Sequence, residues 1–236
     1  STQVGALSSA QVAALTSTQA QAIETTDISA MTTASVRALS TAAVAALSTE
    51  QIASLTSNQI GALATTQVAV LNTDQAASIE TRDLGALGTG AIRALSTAAV
   101  AALTTDQIGV LTTTQAAALS TTQVAALTSA QIAALTSADF AAMGTAQIGA
   151  LNTDQAAAIE TTDIGALTTG GIRALTTAAV AALNTDQIAN LTSTQVGSLT
   201  TQQVGALNTD QVANIETRDL VAFGTAAIRS LSTAAV

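Results

Sequence analysis

The residues of this chain that could carry chemistry are gathered in four short charged cassettes. Each cassette reads Ile-Glu-Thr-x-Asp, and an Arg follows thirteen residues after its Glu. A fifth copy has decayed: it keeps Asp139 but has Thr136 and Gly149 where the Glu and the Arg would stand. Paired carboxylates could bind a cation, and the Arg could instead form ion pairs with them. The four complete sets are Glu24, Asp27 and Arg37; Glu80, Asp83 and Arg93; Glu160, Asp163 and Arg173; Glu216, Asp219 and Arg229.

The ion-pair reading of these cassettes is favoured over a metal site. Ca²⁺ usually takes about 6–8 oxygen ligands, and one Glu with one Asp beside an Arg is a poor start for such a set. We therefore expect solvated charges that suit helix ends, with Glu80, Asp83 and Arg93 forming a local capping and ion-pair network. No catalytic, cofactor-binding or metal-binding residue is predicted, and no cofactor.

The composition also argues against enzymatic activity and against several kinds of partner. The chain has no His, Cys, Lys or Tyr, so the usual bases, nucleophiles and soft metal ligands are missing. Its net charge of −9 opposes binding to nucleic acid, which needs basic residues to displace counterions. Ser, Thr and Gln interrupt every apolar run well short of the ~18 residues of a membrane-spanning helix. We expect no nucleic-acid partner and no insertion into a membrane.

The element that must position these residues is an eight-residue repeat that runs without a break through all 236 residues. Its consensus is [S/T/N/G/E]-[S/T]-x-[Q/D]-[V/I]-[A/G]-A-L, and we number its positions one to eight. Position eight falls on Leu7, Leu15 and every eighth residue to Leu231. Self-similarity at a short fixed period is typical of a solenoid, in which each repeat contacts only its neighbours.

The octad predicts one very short helix per repeat. Its apolar spacing of 3 and 5 residues fits neither a continuous helix nor a regular strand. Position one is a good N-cap, and Gln or Asp three residues later, as in Thr104-Thr105-Asp106-Gln107, forms a capping box. The sequence thus predicts an all-α, elongated solenoid. A β-solenoid is the alternative, because Thr and Val favour strands.

The chain is predicted to be a single continuous solenoid over residues 1–236, cut from a longer array. A larger repeat of seventeen octads lies above the octad, since residues 15–100 recur as residues 151–236. The Ser or Thr at position two of every copy gives a second hypothesis. A regular hydroxyl face could bind ice or a glycan, although the same hydroxyls could serve only to cap helices and turn the chain.

The unit from Leu103 to Leu111, Leu-Thr-Thr-Asp-Gln-Ile-Gly-Val-Leu, resembles the repeats of very large bacterial surface or secreted proteins. Those proteins are often labelled adhesion or haem-utilisation repeat proteins. The resemblance implies an extracellular or cell-surface location and a structural role as a stalk, spacer or filament that self-associates laterally or end to end. It does not imply haem binding here, because no His, Cys or Tyr can ligate the iron.

Overall fold

The structure, a computed structural model, describes residues 2–231, with side chains from residue 4 onward. The chain falls into two compact units, Ser1–Leu119 and Ser120–Val236. Within the described residues both units consist of short α-helices joined by tight corners, with no strand. The all-α prediction is therefore confirmed, and the β-solenoid alternative is wrong.

Each described octad contributes one helix of four to six residues. None of the helices in the described part of the chain is long and apolar enough to cross a membrane. The helices of the first unit are α1 Thr2–Gly5, α2 Ser9–Ala13, α3 Ser17–Gln21, α4 Thr25–Ala30, α5 Thr33–Ala38, α6 Thr41–Ala46, α7 Thr49–Ala53, α8 Ser57–Ala62, α9 Thr65–Val68, α10 Thr73–Ala77, α11 Thr81–Leu84, α12 Thr89–Ala94, α13 Thr97–Ala102, α14 Thr105–Gly109 and α15 Thr113–Ala118. Those of the second unit are α16 Thr121–Ala126, α17 Ser129–Ala133, α18 Ser137–Ala142, α19 Thr145–Ile148, α20 Thr153–Ala157, α21 Thr161–Ile164, α22 Thr169–Ala174, α23 Thr177–Ala182, α24 Thr185–Ala189, α25 Ser193–Ser198, α26 Thr201–Gly205, α27 Thr209–Ala213, α28 Thr217–Leu220 and α29 Thr225–Ser230.

The predicted capping box begins most of these helices. In α7 the Ser48 hydroxyl accepts a hydrogen bond from the backbone N–H of Gln51 at 3.2 Å. The Gln51 side-chain oxygen in turn accepts from the backbone N–H of Ser48 at 2.8 Å. Two of the N–H groups that a helix start leaves unpaired are satisfied in this way. The Ser/Thr-x-x-Gln spacing therefore fixes where most of these helices begin.

The corner between two helices is made by extended backbone and needs no glycine. Leu47 has φ −61° and ψ 143°, and the N-cap Ser48 that follows has φ −73° and ψ 164°. Two successive extended residues redirect the chain, and the next capping box starts a new helix at once. Across the described residues no φ angle is positive. The octad can therefore repeat with any small polar residue at position one.

Three octads complete one turn of the coil. In each unit a helix packs against the helix three places later, as α3 does with α6 and α20 with α23. The octads thus form the three sides of a coil whose turns stack along each unit. A helix this short is not stable alone in water, so its stability comes from the turns before and after it.

The core is built from positions five and eight. Ile108 at position five is 0% exposed and Leu111 at position eight is 6% exposed. The two positions face opposite neighbours along the coil. In the first turn the position-eight residues Leu7 and Leu15 are only half-buried, whereas in the last described turn it is Ile228, at position five, that is 45% exposed. Position five therefore packs against the following turn, and position eight against the preceding one.

Small residues at positions six and seven let consecutive turns approach closely. A Cβ atom built on Gly61, at position six, would lie 3.0 Å from the carbonyl oxygen of Ala86 and 3.4 Å from its Cβ. The same close approach recurs between Gly197 and Ala222 in the second unit. These pairs are 25 residues apart, one residue more than three octads, so they report the turn length directly.

Candidate functional site

The most extensive polar feature of both units is a row of buried glutamines at position four. Gln51 is 3% exposed, and its amide nitrogen donates to the carbonyl oxygens of Ala20, Gln21 and Ile23 at 3.0, 3.2 and 2.6 Å. Ala20 and Gln21 end α3 and Ile23 follows its C-cap, so these carbonyls lie where a helix runs out of N–H partners, although that of Ala20 also accepts from the backbone N–H of Ile23 at 3.2 Å. Each such Gln therefore ties one turn of the coil to the turn before it.

This second role of Gln was missed from the sequence. Capping uses only the side-chain oxygen of Gln. The amide nitrogen also needs a partner, because buried polar groups are nearly always hydrogen-bonded. The same three-carbonyl arrangement recurs along both units. Its members include Gln59, Gln67, Gln75 and Gln107 in the first unit, and Gln187, Gln195, Gln203 and Gln211 in the second.

The charged cassettes occupy helix ends as predicted, but their aspartates are not solvated. Glu80 is the N-cap of α11, and Arg93 lies in the last turn of α12. Asp83, however, is only 1% exposed, and Asp163 and Asp219 are 7% and 2% exposed. The prediction of solvated charges is wrong for these three carboxylates, because position four faces the interior of the coil whether it carries Gln or Asp. Asp139 in the decayed copy is buried in the same way, at 1%.

The buried aspartates bond to the turn before them. Asp83 accepts a hydrogen bond from the hydroxyl of Ser57, at the first residue of α8. The pairs Ser137 with Asp163 and Ser193 with Asp219 repeat this contact, again across 26 residues. In each case the N-cap is a Glu, which has no hydroxyl to complete a capping box.

Asp139 shows what happens when the N-cap keeps its hydroxyl. Its side-chain oxygen accepts from both the backbone N–H and the hydroxyl of Thr136, at 3.0 and 2.7 Å. The carboxylate therefore completes a capping box inside its own octad. An aspartate that follows a Glu N-cap thus bonds to the turn before it, whereas Asp139, which follows a Thr N-cap, bonds within its own octad.

Two arginines outside the predicted sets form ion pairs within complete cassettes. They are Arg82 and Arg218, which stand between the Glu and the Asp. Arg218 Nε lies 2.6 Å from Glu216 and 3.7 Å from Asp219, and Arg82 Nε lies 3.6 Å from Asp83. Arg93 Nε donates to the carbonyl oxygen of Ala118 at 3.2 Å, on the following turn. These arginines are exposed, so each pair contributes little, about 0–1 kcal/mol.

An acidic, open groove lies beside the cassette that contains Glu80. It lies in the first unit, has a volume of about 510 Å³, and is lined by Glu50, Glu80 and Asp106 together with small and hydroxyl side chains. The pKa of the Glu50 carboxyl is lowered, first by a hydrogen bond from its own backbone N–H and then by the hydroxyl of Ser48. Within residues 2–231, no three His, Cys, Asp or Glu side chains are grouped so that they could hold a metal ion. The groove offers no set of groups converging on one point.

A family described as ALTTAQ repeat matches most of the chain. No curated protein matches it at a significant level. The family matches fall on residues 20–57, 76–113, 109–137, 132–169, 156–193 and 212–236, and they include the four complete cassettes and the decayed one.

Proposed function

The chain belongs to the ALTTAQ repeat family, and we propose that it is a structural, non-enzymatic segment of a repeat protein. Its role would be that of a stalk, spacer or filament in an assembly on the surface of a bacterium or outside the cell. The observation that supports this role most directly is the burial of the large side chains. Those at positions four, five and eight are almost all buried between turns, so they serve the coil rather than a ligand.

A non-enzymatic role is supported by the chemistry of the exposed positions. Positions one to three and six carry mainly hydroxyl, small or singly charged side chains. The charged groups are spread along the coil, and Ser57 donates the hydrogen bond that holds the buried Asp83 to the turn below. A catalytic centre needs a nucleophile, an acid or a base held against one reacting atom. The exposed side chains of this chain are instead spread along the coil. They suit a surface whose length and repeat spacing matter more than any single side chain.

Self-association, lateral or end to end, is part of the proposal. A spacer or filament works through contacts between copies, and a solenoid whose turns stack on their neighbours offers a regular surface for such contacts. Sedimentation velocity tests this idea, and a monomer at every concentration would exclude it.

A binding module is the second candidate, and one observation favours it. Thr41, Thr65, Thr89 and Thr113 follow one another at intervals of one coil turn on stacked helices of the first unit, and all four are exposed. Such a row of hydroxyls could order water on ice or contact a glycan. Thermal hysteresis or binding to a glycan array by the isolated chain would support this role, and the absence of both would remove it.

The spacer role predicts that added turns add length. A copy of residues 184–207, one complete turn, inserted after Leu183 should lengthen the particle by about 8–10 Å, the usual distance between packed helices. Small-angle scattering measures this change in maximum dimension. The control is an insert of the same 24 residues in scrambled order, which cannot form a turn and should appear as a flexible protrusion. A native insert that leaves the length unchanged would contradict the spacer role.

A further inference from the structure

We propose that each complete charged cassette and the turn before it form a register lock. By this term we mean a matched pair of turns whose facing side chains allow only the three-octad stacking. In the first unit the lock joins the turn of α8, α9 and α10 to the turn of α11, α12 and α13. In the second unit it joins α18, α19 and α20 to α21, α22 and α23. The lock would set the number of octads in each turn of the coil, whether or not the chain serves as a spacer.

A lock is needed because the octads are nearly interchangeable. Position five is Val or Ile, position eight is Leu, and position four is Gln in most copies. A turn of two or four octads would therefore also bring apolar residues together and place Gln near helix C-termini. A sequence that favours only the intended contacts, without penalising the alternatives, folds to a mixture of states. Some residues must break the equivalence of the octads.

The Ser–Asp pairs are the first such residues. Ser rather than Thr fills only seven of the 30 position-two sites, and four of these Ser lie 26 residues before an Asp at position four. Three of the four pairs are described, and in all three the Ser hydroxyl donates to the Asp. With two or four octads to a turn, Asp83 would instead face Thr65 or Thr49. Only the three-octad turn gives this buried carboxylate its Ser.

The second set of matched residues consists of stacked alanines 23 residues apart. Position four of one helix faces position five of the helix below. This is shown at Gly171, where an added Cβ would lie 3.5 Å from Ile148 Cγ1. At the third side of each lock both positions are Ala and both are 0% exposed, namely Ala76 below Ala99 and Ala156 below Ala179. With a different turn length Ala99 would face Val68 or Leu84 instead.

The two sets of contacts act together on the same pair of turns. Throughout the cassette turn, position four carries Asp, then a small residue, then Ala, in place of Gln. The Gln side chains that lie between other turns are absent there, and on the third side of each lock α10 packs extensively against α13, and α20 against α23. Tight packing tolerates changes in side-chain volume poorly. The cassette turn therefore packs best on the turn below it when each turn has three octads. No other number of octads per turn would pack these two turns equally well.

The spacing of the cassettes also fits a role inside the coil. Successive cassettes α4 and α11 are seven octads apart, which is two turns and one further helix. They consequently lie on adjacent sides of the first unit and do not line up in one charged stripe. A stripe would be expected if the cassettes served to align neighbouring molecules side by side.

A double-mutant cycle tests the Ser–Asp contact. Ser57→Ala and Asp83→Ala should each lower the urea midpoint, and the double variant should lose clearly less than the two single losses added together, as residues in contact do. Ser129→Ala with Asp154→Ala is the matched control. Ser129 donates only to the backbone oxygen of Asp154, at 3.4 Å, so these effects should add. Additive losses for Ser57 and Asp83 would overturn the contact.

Cysteine pairs test the register itself, in an unlocked variant that carries Ala76→Val, Asp83→Gln, Ala91→Gln and Ala99→Gln. Its octads match the consensus, so it should remain helical by circular dichroism. A Cys at position 61 should then form disulfides with a Cys at 78 or 94 as well as at 86, whereas the parent chain forms only the 61–86 bond. An unlocked variant that is helical and joins only 61 to 86 would overturn the proposal.

Discussion

Replacing Gln59 by Ala is expected to lower the free energy of unfolding by about 2–4 kcal/mol, because several buried polar atoms lose their partner at once. The side chain is 2% exposed, and its amide nitrogen donates to Ile28 and Met31 at 2.8 Å each and to Ser29 at 3.4 Å. Its oxygen caps α8 by accepting from the backbone N–H of Thr56 at 2.8 Å. Urea denaturation followed by circular dichroism measures the loss.

Gln19 is the matched control for this substitution. Its side-chain oxygen makes the same capping contacts, accepting from the backbone N–H and the hydroxyl of Thr16 at 2.9 and 3.1 Å. Its side chain is exposed in the first turn of the coil. Gln19→Ala should therefore cost only the cap, about 0.5–1 kcal/mol. Equal losses for the two substitutions would show that Gln59 serves only as a cap and that the bonds between turns contribute nothing.

Removing half an octad is expected to destabilise the second unit more than removing a whole one. Deletion of residues 184–187 takes away the N-cap Asn184 and Gln187, and it leaves Ile188 without a helix that can place it in the core. The loss combines a cap of about 1 kcal/mol with the burial of Ile188, about 1.5–3 kcal/mol. The bonds from Gln187 to three carbonyl groups are lost as well.

Deletion of the complete octad, residues 184–191, should be far milder. Every remaining octad keeps its own capping box, and the Ser193–Asp219 and Ala156–Ala179 pairs keep their spacing. The coil can continue with the next helix in the vacant place. Thermal unfolding of the two deletion variants gives the comparison. A longer deletion that destabilises as much as the shorter one would show that the octad is not the unit of folding.

The local structure could be predicted from the sequence because it depends on residues close together in the chain. The capping box needs only the four residues from Ser48 to Gln51, and the burial of Ile52 and Leu55 follows from the apolar positions of one octad. The close approach at Gly61 also follows, because small residues at position six leave room for the next turn. All three features repeat wherever the octad repeats.

The number of octads in a turn could not be read in the same way. Most octads offer the same Gln, the same helix C-terminus and the same apolar pair, so these residues fit each possible turn length equally well. The buried Gln amide was overlooked because the cap already gave that residue a role. Asp83 was expected in solvent because charges that suit helix ends are usually solvated, whereas the side chain is 1% exposed. The signals that break the equivalence are the 26-residue spacing of Ser57 and Asp83 and the 23-residue spacing of Ala76 and Ala99.

Disulfide formation in the otherwise unchanged chain measures the length of the coil turn. The chain has no Cys of its own. A Cβ on Gly61 would lie 3.4 Å from the Cβ of Ala86, close to the separation of about 3.5–4.5 Å that a disulfide requires. We predict that Gly61→Cys with Ala86→Cys crosslinks rapidly under native conditions, and that Gly61→Cys with Ser78→Cys or with Ala94→Cys does not. Equal rates for the three pairs, or a faster reaction at position 78 or 94, would contradict a turn of three octads.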